Sequence, residues 1–383
     1  MPTPLSPRRA ELFLFRAPIT EPIVTNFGSI PARVALLIRI EDRDGAHGWG
    51  EVWANFPPTG AEHKLRLLEQ IILPGVLGRT WPTPQAAWID LSARLRRNAL
   101  QSAEPCNFAA CLAGIDVALW DLVARRAQVP LWQALGRTTP PVPIPAYASN
   151  LNPKGAPEYV ARCRDLGYRA FKLKVAFDLA SDLDNVRRIS NGLKSGERFM
   201  IDANQGWDIA AARTAVAAFG DFPLEWIEEA ICADDPPEQW AELAMISRVP
   251  LAGGENVLGL AEFDRVIAAG HLAVIQPDIC KWGGLSGCGM AARRAVAAGH
   301  SYCPHWLNSG LGLHAAAHLL SAVGGNGLLE HDAMENPLQG VLAEPFPALV
   351  DGAFSLTSAP GLGVAPDLAA AKGFLVERRE VGA

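Results

Sequence analysis

The chain has 383 residues, 49% hydrophobic and 19% charged, a composition that can bury a large core and excludes a disordered chain. Its 34 basic and 40 acidic side chains give a net charge of −6, which argues against a nucleic-acid partner. No run approaches the roughly 18–20 uninterrupted apolar residues of a membrane span, and residues 1–10 are Pro-rich, without the apolar core of a leader.

Residues 12–15 and 33–40 read as strands, and a shorter one follows at 48–52 after the turn Asp42-Arg43-Asp44-Gly45. A helix is predicted over 109–126, where Leu112, Ile115, Leu119, Leu122 and Val123 recur at helical spacing. The first ~138 residues thus form an α+β unit. Four prolines between Thr138 and Pro145 mark its end. From there, eight short apolar runs alternate with Ala-rich amphipathic segments. They lie at 144–149, 170–175, 198–202, 224–228, 250–255, 273–278, 299–305 and 327–330. This rhythm implies parallel βαβ units and a TIM-type (β/α)8 barrel. A doubly wound sheet competes, but no Gly-rich fingerprint follows the first strand. The expected division is a capping domain at 1–138, a barrel at 139–345 and a segment at 346–383 returning to the cap.

Seven successive runs, from the second onward, carry an ionisable residue at or near their ends: Lys172 and Lys174, then Asp202, Glu228, Glu255, Asp278, His305 and Glu330. From Lys174 onward the steps are 28, 26, 27, 23, 27 and 25 residues, each about one βα unit. All of them therefore return to the same end of the barrel, where TIM-barrel active sites lie. Asp202, Glu228 and Glu255 come from three neighbouring strands. Three converging carboxylates repel, and all-oxygen donors favour Mg²⁺, or Mn²⁺, over zinc. The alternative is three separate ion pairs with Lys or Arg. Lys172 and Lys174 point to one side of their strand, so each is expected to depress the other's pKa and free one as a base. Asp278 can hold one nitrogen of His305 and leave the other to exchange a proton.

These residues resemble the enolase superfamily in its mandelate racemase subgroup. The matches are Lys172-Leu173-Lys174, Asp202-Ala203-Asn204-Gln205, Trp226-Ile227-Glu228-Glu229 and Gly254-Glu255-Asn256. They continue with Gln276-Pro277-Asp278, Gly283-Gly284, Pro304-His305, Leu329-Glu330 and the segment Gly114 to Asp121. One departure is Ala230, where the family commonly has Pro. The resemblance implies a modified (β/α)7β barrel, with Asp202, Glu228 and Glu255 as metal ligands. Lys174 would be the base on one substrate face, and His305, oriented by Asp278, the acid or base on the other. Lys172 and Glu330 would be electrophilic partners of the substrate carboxylate, Asn204 a contact to a substrate hydroxyl, and 18–30 and 52–59 mobile loops that close the site. It also implies a small-molecule carboxylate substrate and a homo-oligomer.

The expected reaction is abstraction of the proton α to a carboxylate, followed by dehydration of an aldonate or aldarate to a 2-keto-3-deoxy acid. Racemisation, epimerisation or cycloisomerisation at the same site is the alternative. A Schiff-base aldolase using Lys172 or Lys174, and a non-catalytic metal-binding barrel, are readings of other classes. His314 and His318 have the spacing of a zinc helix but lack the intervening Glu, and read as a helix face. Gly283 to Gly287 reads as a tight turn. Trp53, Trp207 and Trp306 are candidate pocket walls. Seven cysteines without a C-x-x-C pair suggest reduced thiols and a cytoplasmic protein.

Overall fold

A computed structural model describes residues 3–382. The chain opens with β1 (Pro7–Thr25), β2 (Gly28–Asp42) and β3 (His47–Val52). Four helices follow: α1 (Gly60–Leu67), α2 (Pro84–Gln101), α3 (Pro105–Arg126) and the short α4 (Leu131–Ala134). The predicted strands all lie within β1 to β3. The predicted helix starts four residues earlier than expected, because Pro105 fits the first turn, where no N–H is needed. Helix α2 begins the same way, with Pro84 inside the start and the Thr83 side chain accepting from Ala86 N.

Helix α3 is long and apolar enough to cross a membrane by length and composition, although it has no long uninterrupted apolar run. Here it is the cap's core helix, lying against β3. The approach is close: a Cβ on Gly50 would stand 2.0 Å from the Gly114 carbonyl oxygen. Small residues at this crossing let strand and helix backbones meet.

The second part alternates β4 (Ile144–Leu151), α5 (Ala156–Asp165), β5 (Ala170–Lys174), α6 (Leu179–Asn191), β6 (Arg198–Asp202), α7 (Ile209–Phe219) and β7 (Ile227–Glu228). It continues through α8 (Pro237–Ile246), β8 (Leu251–Gly253), α9 (Leu260–Ala269), β9 (Val274–Ile275), α10 (Gly284–Ala297), β10 (Ser301–Tyr302), α11 (Gly310–Val323) and β11 (Leu329–Asp332). The hydrogen-bonded order is β10-β9-β8-β7-β6-β5-β4-β11, and every pair in it is parallel. Tyr147, Ala170, Met200, Trp226, Ala252, Val274, Cys303 and Leu328 form one buried cluster, each from a different strand or its edge. They fill the interior of a (β/α)-barrel with seven long helices and a final strand. Helix α12 (Pro337–Val341), β12 (Ala353–Phe354) and β13 (Leu375–Gly382) complete the chain, and β13 pairs antiparallel with β1 in the cap sheet.

Several barrel strands are shorter than expected. β8, β9 and β10 stop before Glu255, Asp278 and His305, which therefore stand on loops. At β8 the reason is visible: Gly254 has φ +141°, and a Cβ there would lie 2.7 Å from Gln276 N. The chain leaves the ladder at that point and presents Glu255 to the barrel mouth.

Candidate active site

The barrel mouth and the cap enclose a cavity of about 380 Å³. From the barrel, Lys174, Asn204, Glu255 and His305 line it. From the cap come Thr25 and Phe27 at the β1–β2 hairpin, Trp53 and Phe56 after β3, and Lys64 on α1. The hairpin is pinned to the barrel: Val24 N donates to Asn152 Oδ1 at 2.9 Å, and Asn26 Nδ2 to the Ala203 carbonyl at 2.5 Å. Phe27 and Phe56 meet edge to face, with ring centroids 5.1 Å apart, joining the two cap segments.

Beneath the cavity wall lies a buried network. Lys172 Nζ contacts Glu228 Oε1 at 2.5 Å, Glu330 Oε1 at 2.8 Å and Asp202 Oδ2 at 3.6 Å. Lys174 Nζ donates to Asp202 Oδ2 at 2.7 Å. Asp202 and Glu228 are register partners across β6 and β7. Burial opposes the charge on Lys172, but Glu228 and Glu330 override it and hold its pKa well above the ordinary value. This corrects the expectation of mutual depression: the nearest groups to Lys172 are carboxylates, which favour its protonated form. Lys172, Glu330, Asp202, Glu228 and Asp278 do not themselves line the cavity.

His305 sits between two acids. Its Nδ1 bonds Asp278 Oδ2 at 2.7 Å, and its Nε2 lies 3.3 Å from Glu255 Oε2. Burial works against its charge, yet Glu255, Glu330 and Asp278 push its pKa up to about 9. The Trp53 ring stands 5.7 Å from the imidazole. Trp207 and Trp306 are not among the cavity walls; Trp306 is fully buried and its backbone N donates to Glu330 Oε2 at 3.0 Å.

Two groups escaped the sequence reading. Lys281 Nζ donates to Glu255 Oε2 and Asn256 Oδ1, both at 2.7 Å, and lies 4.8 Å above the Trp53 ring. Its signal was a lysine between Cys280 and Trp282, too weak to single out. Glu229 is buried beside Glu255 and Asp202; burial first, then those charges, raise its pKa well above normal. Its Oε2 has no hydrogen-bond partner.

The fit to a divalent cation rests on charge and donor chemistry. Among the described residues, no three acidic, Cys or His side chains form a group compact enough to hold a metal ion. Asp202, Glu228 and Glu255 are each turned to a basic neighbour, the ion-pair alternative weighed from the sequence. Yet six buried carboxyl groups (Asp202, Glu228, Glu229, Glu255, Asp278 and Glu330) face only Lys172, Lys174, Lys281 and His305. Burial and mutual repulsion raise the pKa of Glu228 to about 7 and that of Glu229 well above normal, so this cluster of hard oxygen donors lacks positive charge, which a Mg²⁺ ion would supply. The residues therefore fit the ion.

His314 and His318 belong to helix packing. His314 Nδ1 bonds the Gly310 carbonyl, while His318 bonds Trp132 N and the Leu362 carbonyl. Gly283 opens α10 as a turn with φ +78°. All seven cysteines are unpaired.

Residues 9–136 match the family described as "Mandelate racemase / muconate lactonizing enzyme, N-terminal domain", and 156–371 match "Enolase C-terminal domain-like". The chain is 29% identical over 364 residues to a 3,6-anhydro-alpha-L-galactonate cycloisomerase of Streptomyces coelicolor, covering 94% of this chain and 96% of that one. It superposes on a mandelate racemase/muconate lactonizing enzyme structure from Bordetella bronchiseptica with TM-score 0.91 and 46% identity, over 97% of this chain and 99% of that one. A racemase from Streptomyces coelicolor with bound magnesium gives TM-score 0.86 at 28% identity, covering 97% and 100%.

Proposed function

The chain belongs to the mandelate racemase / muconate lactonizing enzyme family of the enolase superfamily, and from that premise we propose that it dehydrates a sugar acid, an aldonate or aldarate, to a 2-keto-3-deoxy acid. One observation carries the choice of elimination: His305 lines the cavity together with Lys174, its ring is held at Nδ1 by Asp278, and the surrounding acids push its pKa up, which favours the protonated form that can protonate a leaving group.

Lys174 takes the proton α to the carboxylate. Lys174 does so as the neutral amine, and Asp202, 2.7 Å from its Nζ, fixes its position. His305 donates its proton to the departing β-hydroxyl, which leaves as water. Asp278 holds the ring at Nδ1 so that Nε2 does the transfer. The resulting enol takes up a proton and becomes the 2-keto acid. Asp202, Glu228 and Glu255 would hold Mg²⁺, which supplies Lewis-acid stabilisation of the charge developing on the substrate carboxylate. Lys172 and Glu330 lie below the wall, so Lys172 acts through its field rather than by contact.

A racemase or cycloisomerase at the same site is the second reading. It is favoured by the cycloisomerase among the relatives, and it uses the same lysine and histidine on opposite faces. The charged state of Lys172 weighs against its use as a Schiff-base nucleophile, which must be neutral. The test is a panel of aldonates and aldarates with Mg²⁺, read by 2-keto-acid formation and by NMR exchange of the α proton in D₂O. Exchange with no keto acid would replace dehydration by the second reading. Neither signal with any acid would refute both.

A further inference from the structure

We propose that the buried ammonium of Lys64 anchors a second anionic group of the substrate, so that the preferred substrate is a sugar dicarboxylate rather than a monocarboxylate. The inference deepens the acid-sugar reading and rests on it. Lys64 stands on α1 in the cap, is 2% exposed and lines the cavity. The other basic groups on the cavity wall all have a carboxylate: Lys174 has Asp202, Lys281 has Glu255, and His305 has Asp278 and Glu255. Among the described residues Lys64 has no carboxylate within ion-pair distance. Its Nζ makes one weak bond, 3.4 Å to the carbonyl of Phe56, itself a cavity residue.

Buried charges are normally paired, and an unpaired one facing a cavity points to a counter-ion carried by a ligand. Burial, with a smaller contribution from Lys281, holds the Lys64 pKa below 10.5 against the opposing pull of Cys111 and Cys106. The first turn of the 22-residue α3, at Cys106 and Asn107, lines the same wall and adds the positive end of its dipole. The carboxylate nearest that turn, Glu104, is engaged by His63 and by Asn107 Nδ2 at 2.9 Å, and does not line the cavity. Lys64 enters from the cap, whereas Lys174 and Glu255 stand on the barrel. A chain with a carboxylate at each end would span the two.

The test is calorimetric binding to the full chain in Mg²⁺, with glucarate and galactarate against gluconate and galactonate, in wild type and Lys64→Met. Met keeps the length and the buried stem. Wild type is expected to prefer the diacids, and Lys64→Met to lose about 10- to 100-fold of that preference, the range of one charge-assisted contact. Lys64→Gln makes the same comparison if the Met variant does not fold. A wild type that prefers monoacids, or a preference unchanged in the variant, overturns the proposal while leaving the acid-sugar reading intact. A wild type that binds none of the four acids overturns both.

Discussion

Glu51 joins the cap to the barrel, and its removal tests how that joint works. The side chain sits on β3, is fully buried, and accepts from Ser309 N at 2.8 Å, Ser309 Oγ at 2.8 Å and Gly312 N at 2.9 Å. These donors form the start of α11, just after the His305 segment. In Glu51→Ala the Ser309 hydroxyl can re-aim, but the two backbone N–H groups lose their acceptor. At about 1–3 kcal/mol per unsatisfied buried group, the expected cost is about 4 kcal/mol at pH 7. With ~2.1 cal/mol/K of unfolding entropy per residue over the 383-residue chain, that lowers Tm by about 5 °C if the chain unfolds as one unit.

The pH dependence separates two opposing effects on Glu51. Burial pushes its pKa up to about 7 from 4.5, while the three donors pull it down. A folded pKa above the unfolded one means a contribution fully present below pH 4.5 and lost as pH rises through 7. The stability gap between wild type and Glu51→Ala should therefore widen as pH falls from 9 to 5, by up to about 3 kcal/mol at 1.36 kcal/mol per pKa unit. Calorimetry across that range reads both numbers, and the difference between the two proteins cancels other buried groups. A gap under about 1 kcal/mol at pH 7 would refute the unsatisfied-donor reasoning. A gap that widens with rising pH would show that the helix terminus, not burial, sets the charge.

Further outcomes follow from the site. Lys174→Ala and His305→Asn should each slow α-proton exchange or product formation by about 10²–10⁴-fold, the usual worth of a positioned proton-transfer group. Asp278→Asn should lower the His305 pKa, since it removes the acid bonded to Nδ1; NMR titration of the ring reads the shift. EDTA should abolish turnover and Mg²⁺ restore it, while Mg²⁺ alone raises Tm with concentration as a ligand of the folded state does. Arg33→Met should destabilise by about 3–5 kcal/mol, because it strands Asp332, buried 2.7 Å from the guanidinium across the cap–barrel junction; denaturant unfolding measures it.

Much of the site was legible along the chain, because a barrel returns to one end every βα unit. That periodicity placed Asp202, Glu228, Glu255, Asp278, His305 and Glu330 in register from spacing alone, and the hairpin and Pro signals gave the cap's strands. It did not give the strand ends, since Gly254 leaves the ladder for a reason that lies 22 residues away, at Gln276. Nor did it give the state of Lys172: its spacing from Lys174 suggested mutual depression, whereas Glu228 and Glu330, 56 and 158 positions away, decide its charge. Lys64, Glu51 and Lys281 were invisible for the same cause. A lysine on a short amphipathic helix reads as solvated until a second domain closes over it. By itself the sequence determined the architecture and the ring of ionisable groups, because both follow from local periodicity. The tertiary structure decided which of those groups meet the cavity, which are charged and which cap residues face them, because burial and Coulomb interactions depend on distance in space and not along the chain.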